Sequence, residues 1–276
     1  MQIFDYKSQL LKRNRLLELM VDNPLQTINE NSFFDRFIFI KRTFPKVLLL
    51  GDFSEDFIER LKELGHGDQL IEQFDPITKF QSAEKIDFSW PTFNLILSSL
   101  HLHKANDVPG LMWQFRQLLH PDGMLIASLF GGESLIELRT AILNAENMLR
   151  GGVSNRVHPM INFGEASNLL MRAGFALPVA DRDLVTFTYD NIYGLIKDLR
   201  NISETNTLYM REPSFAPRQL FNLVNSEYLN SFAENDKINV TVELIYLTGW
   251  APHVSQQKAL APGSAKLMLH DVLNNN

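Results

Sequence analysis

The chain has 276 residues, 45% of them hydrophobic, which is enough for one large core or two small ones. A net charge of −6 with Lys and Arg scattered along the sequence leaves no footprint for nucleic acid, and the absence of cysteine excludes disulfides and thiolate metal sites. No basic-then-apolar leader and no run of about 18 apolar residues occurs, so the expectation is a cytoplasmic protein without an integral membrane segment.

Residues 5–42 carry helical spacing at Leu10, Leu11, Leu16, Leu17 and Met20, then at Phe33, Phe34, Phe37 and Ile38, and Asn23-Pro24 separates the two stretches. A strand is predicted at 46–50, ending in Gly51 and leading into a helix over 54–64. The backbone N–H groups at that helix start are available to a ligand. A Gly65-His66-Gly67 turn follows, with strands at 69–73 and 93–98, a helix over 106–119, a Pro121-Asp122-Gly123 turn and a strand at 124–129. This alternation predicts an α/β fold, a parallel sheet with crossover helices. Beyond Gly131-Gly132 come helices at 133–149 and 164–173, a strand at 176–188, helices near 190–199 and 217–231, and a strand at 238–249. The predicted organisation is a helical extension over 1–42, a main domain over 43–250 and a tail over 251–276 packed on it.

The run from Phe93 to His103, with Leu118-Leu119-His120-Pro121-Asp122-Gly123 and Phe130-Gly131-Gly132, resembles the fourth and fifth strands of a class I S-adenosylmethionine (SAM) methyltransferase. The run from Phe130 to Arg139, Arg172-Ala-Gly-Phe175, Thr248-Gly-Trp250, Ser255-Gln256, Gly263-Ser-Ala265 and Ile3-Phe4-Asp5 is similar to the complex I assembly factor 5 family, including its alphaproteobacterial members. That resemblance implies a Rossmann-like, seven-stranded, mostly parallel sheet whose last strand is antiparallel, with SAM at the strand carboxyl ends. It also implies a protein partner, an arginine of a respiratory complex I subunit, with either methylation or hydroxylation as the chemistry.

Carried onto this sequence, the family's cofactor site falls on Gly51, Asp52, Asp75, Ser82 and Ser98. Asp75 takes the position that accepts from both ribose hydroxyls. Leu49 stands where the family has an acidic residue, and Phe53 where it has glycine, so that a phenyl ring is expected to fill the methionine pocket. Asn94 replaces another acidic residue. Each lost charge-assisted bond costs about 1.5–3 kcal/mol, which argues against ordinary SAM affinity. The catalytic candidates are His103, Glu137 and Arg139, with His101, Trp250 and Ser255 as further lining residues. His101 and His103 have a metal-like spacing without a third ligand, so no metal is expected. Glu137 and Arg139, two apart on a helix, do not share a face and need separate partners. Two functions follow: a SAM-dependent methyltransferase-like enzyme acting on a protein side chain, or an assembly factor of the same fold that has lost SAM binding.

Overall fold

A computed structural model of the chain describes residues 2–17, 24–37, 39–79, 84–214, 216–257 and 264. Two helices, α1 (Tyr6–Leu17) and α2 (Pro24–Phe37), precede the sheet. The alternating part then runs β1 (Lys46–Leu50), α3 (Glu55–Glu63), β2 (Leu70–Phe74), α4 (Pro76–Lys79), β3 (Phe93–Ser98), α5 (Val108–Leu118) and β4 (Leu119–Phe130). The second half adds α6 (Ile136–Arg150), α7 (Phe163–Arg172), β5 (Ala176–Tyr189), α8 (Ile192–Asn201), α9 (Arg218–Phe232), a two-residue β6 (Ala233–Glu234) and β7 (Lys237–Trp250).

The sheet order is β2-β1-β3-β4-β7-β5, with β6 paired to β7 as the seventh strand. β1 pairs in parallel with β2 and β3, and β3 with β4, whereas β7 is antiparallel to both β4 and β5. The apolar run of β1 is buried on both faces because successive side chains alternate sides. Leu48 and Leu50 enter one core cluster, and Val47 and Leu49 the other, against Phe33, Phe34 and Phe57. A third cluster, built from α6, α8, α9 and the first half of β7, supports the far end of the sheet.

The Pro121-Asp122-Gly123 turn is absent as such. Those residues belong to β4, which starts at Leu119, and the register with β3 shifts between Phe93 and Leu95. Asp122 holds φ +64, its N–H donates to Ala251 O at 3.0 Å, and the Ala251 N–H donates to Gly123 O at 2.7 Å. The turn chemistry is thus spent on a bulge that bends the strand and ties down the end of β7. The predicted apolar face of α1 also differs: its buried residues include Gln9 and Arg13, while Leu11 is exposed.

Candidate functional site

The ends of β1, β2 and β3 converge on Gly51, Asp75 and Ser98-Ser99. Gly51 has φ +96, and a Cβ built on it would stand 2.5 Å from Ser99 O, so glycine is required where these two strand ends meet. Ser54 caps α3, accepting from Phe57 N at 3.1 Å.

The space above these strand ends is filled by the N-terminal helices. Arg13, buried on α1, donates from Nη1 to Asp52 Oδ2 at 2.7 Å, from Nη2 to Asp52 Oδ1, and from Nε to Asp75 Oδ2 at 3.0 Å. Asp75 Oδ1 accepts from Ile77 N at 3.0 Å, so both oxygens of the expected ribose carboxylate are engaged. From α2, Glu30 accepts from Ser54 N and Ser54 Oγ, each at 2.7 Å, and occupies the donors at the start of α3. Asn29 donates to Ser99 Oγ at 2.9 Å. Arg13, Asp52, Asp75, Gly51, Ser99 and His101 line a space of only about 50 Å³. Small-molecule sites run to roughly 300–1,000 Å³. With Arg13 seated, the residues present do not fit SAM.

Phe53 does not cause this occlusion. Its ring packs onto Phe33 and Phe57, with centroids 5.8 and 4.8 Å away, and joins the core between α2 and α3. Leu49 is likewise wholly buried in that core. Both departures from the family pattern are absorbed by packing. Phe53→Gly is therefore expected to leave SAM affinity unchanged in calorimetric titration while lowering stability by about 1–3 kcal/mol, read as a fall in Tm; tighter SAM binding would return the phenyl ring to the role of a plug.

The three candidate catalytic residues are not brought together. His103 is buried after β3, with Nε2 3.2 Å from Glu204 Oε2 and its ring edge-on to Phe130. Lys104 Nζ donates to Glu204 Oε1, making a buried cluster of two basic groups around one carboxylate. Burial pushes the Glu204 carboxyl up, but Lys104 and His103 outweigh it and hold it at about 2. Burial pulls His101 and His103 below the ordinary imidazole range. Glu137 instead accepts from Thr241 N at 3.2 Å and from Thr241 Oγ1, fastening α6 to β7. Arg139 Nη2 is buried with no hydrogen-bond partner among the described residues. Ser98 is buried and its Oγ likewise has none, whereas Ser82 lies outside the described residues. Trp250 packs beneath Arg42, and Ser255 Oγ meets His253 Nδ1 at the surface. Among the described residues no group of three or more His, Asp or Glu is arranged to hold a metal.

The run from Phe130 to Arg139, which carries the family likeness most strongly, is an interlock with β7. Gly131 N donates to Glu243 O at 2.9 Å, Ser134 exchanges bonds with the Glu243 backbone at 3.0 Å each way, and Glu243 Oε2 accepts from Glu133 N at 3.0 Å. A Cβ on Gly131 would lie 2.3 Å from Glu243 Oε2, which explains the glycine there.

Sequence reasoning missed Arg13, Glu30 and Glu204. The one available signal was Gln9 and Arg13 at i, i+4, a polar stripe on an otherwise amphipathic helix.

His158 is buried with Nε2 accepting from Thr207 N at 3.1 Å, and burial lowers it from 6.5 to about 4. Protonation would destroy that acceptor. A folded value below the unfolded one means stability is complete above about pH 6.5 and is lost as pH falls toward 4. Tm is expected to drop across this window before the carboxylates titrate, and a flat Tm there would remove His158 as the cause.

Beyond the strand ends lies a cavity of about 580 Å³, bounded by α6, α8, α9, Phe130 and Val242, and by Lys12, Arg15, Arg156 and Arg200; Glu204 borders both spaces.

No family model matches the chain. It is 38% identical over 177 residues to the mitochondrial arginine-hydroxylase NDUFAF5 of Dictyostelium discoideum, a match spanning 63% of this chain and 40% of that protein. With the NDUFAF5 of Danio rerio it shares 28% identity over 289 residues, 99% of this chain and 90% of the other. With the malonyl-[acyl-carrier protein] O-methyltransferase of Xylella fastidiosa it shares 30% over 217 residues, 78% of this chain and 70% of the other. Among solved structures, the YcgJ protein of Bacillus subtilis overlays 82% of this chain and 99% of its own with a TM-score of 0.49 at 13% identity. No helix among the described residues is long and apolar enough to cross a membrane. An α/β sheet with Gly51, Asp75 and Ser98 at its strand ends, and identity running through most of the bacterial enzyme, place the chain in the methyltransferase family that also contains the NDUFAF5 arginine hydroxylases.

Proposed function

We propose that this chain is a methyltransferase-family protein that acts on an arginine side chain of a protein partner, a respiratory complex I subunit by analogy with the NDUFAF5 proteins, and that it does so in the cytoplasm. The observation that carries the reading is Arg13. Asp52 and Asp75, 23 positions apart, are set so that together they grip a guanidinium by three N–H donors. Bidentate pairing of this kind is specific to the planar fork of arginine. An arginine of a partner would meet Asp52, which makes the bidentate pair, once α1 moved Arg13 aside, and Asp75 would be left to a nucleoside at the end of β2. His103 and Lys104 would keep the neighbouring Glu204 ionised but satisfied, so that it does not compete for the incoming cation.

Co-expression with candidate complex I subunits, followed by peptide mass spectrometry, tests the proposal. A mass gain of one methylene on an arginine would indicate methylation, and a gain of one oxygen hydroxylation. A partner recovered without modification, in the presence and absence of SAM, would leave the second reading, an assembly factor that has lost SAM binding. The occupation of the strand-end space by Arg13 and Glu30 favours that alternative.

A further inference from the structure

We propose that the 580 Å³ cavity is a binding site for an aliphatic carboxylate, with the hydrocarbon chain buried between α6, α8 and α9 and the acid head among the cations at its margin. This goes beyond the reading above and does not depend on what Asp52 and Asp75 hold. The cavity has the size of a small-molecule site. Its walls are apolar, with Phe130, Leu138, Ile142, Ile196, Phe221 and Val242 among them.

The polar lining is unbalanced in the opposite sense to the chain. In a protein of net charge −6, four basic side chains and one carboxylate face this space. That carboxylate, Glu204, is already closed off by His103 and Lys104. His158 adds no charge at neutral pH. Arg156 is committed to Glu146 and Glu212, but Arg15 and Arg200 have no ion-pair partner among the described residues. Among the described residues Lys12 donates only to a backbone carbonyl, Asn206 O, and Asn206 in turn donates to Asn155 O at 2.8 Å, which seats Lys12 beside the segment carrying Arg156. Burial, with Arg211, pulls the Lys12 ammonium down to about 8 against the opposing pull of Glu204 and Asp5, which leaves it short of counter-charge. An anionic head would supply it. A neutral chain would leave the cations uncompensated, and a cationic one would be repelled.

Calorimetric titration of the full chain with laurate and laurylamine below their micelle concentrations, and with lauryl alcohol below its solubility limit, tests this. Laurate is expected to bind about tenfold or more tightly than laurylamine, and Lys12→Met to weaken laurate by about tenfold while leaving lauryl alcohol unchanged. Ile196→Trp, which fills the chain space, is expected to abolish all three. Equal binding of laurate and laurylamine, an unchanged laurate affinity in Lys12→Met, or no binding of any of the three overturns the proposal. Should Ile196→Trp fail to fold, the comparison of Lys12→Met on laurate and on lauryl alcohol decides alone.

Discussion

Replacing Arg13 by Ala is expected to raise the affinity for S-adenosylhomocysteine by roughly tenfold to a hundredfold. The variant removes three charge-assisted bonds with which a ligand would otherwise compete, each worth about 1.5–3 kcal/mol before the return of water to the two carboxylates is counted. Stability should change far less than affinity. Asp52 is half-exposed and Asp75 about one-fifth exposed, so solvent can take over much of what Arg13 provides. Calorimetric titration of both forms, with Tm recorded for each, makes the comparison. Equal affinities in the two would mean that Arg13 is not what keeps the nucleoside out, and attention would pass to Glu30 at the start of α3.

Glu204→Ala is expected to cost about 3–5 kcal/mol, because it leaves the Lys104 ammonium buried without its partner. For a chain of this length that corresponds to a fall in Tm of roughly 10 °C. The double substitution Glu204→Leu with Lys104→Met should recover much of the loss, since an apolar pair of similar volume carries no desolvation penalty. Thermal melts of the parent and the two variants check this, and a Glu204→Ala protein melting within about 2 °C of the parent would show that water reaches Lys104. Acid should reveal the same group: the low Glu204 value means that its contribution is present above about pH 4.5 and disappears as pH falls toward 2.

The sheet was legible in the sequence because its signals are local. Val47–Leu50 and Leu95–Leu97 read as doubly buried strands from apolarity alone, and Gly174, at φ +82, ends α7 where the sequence placed a helix stop. The candidate site was legible only in outline. Gly51, Asp75 and Ser98 stand at strand ends, as a parallel sheet requires. What occupies the space between them was not, because Arg13 reaches Asp52 and Asp75 across 39 and 62 positions, and no periodicity encodes such a contact. Glu137 misled for a related reason. Its position in the most family-specific segment reads as chemistry, whereas its bonds to Thr241 hold a helix to a strand. Phe53 reads as a departure from the pattern, but where its ring goes depends on α2, whose Phe33 it packs against.

The position of β7 has a consequence for how the protein is made. Residues 237–250 wedge between β4 and β5, so the strand that joins the two halves of the sheet is the last of the described strands to be synthesised. Until it emerges, β4 and β5 each present an open edge, the state in which strands pair with the wrong neighbours. A ribosome that stalls upstream of Lys237 therefore releases a molecule that holds most of the core residues and still cannot close its sheet.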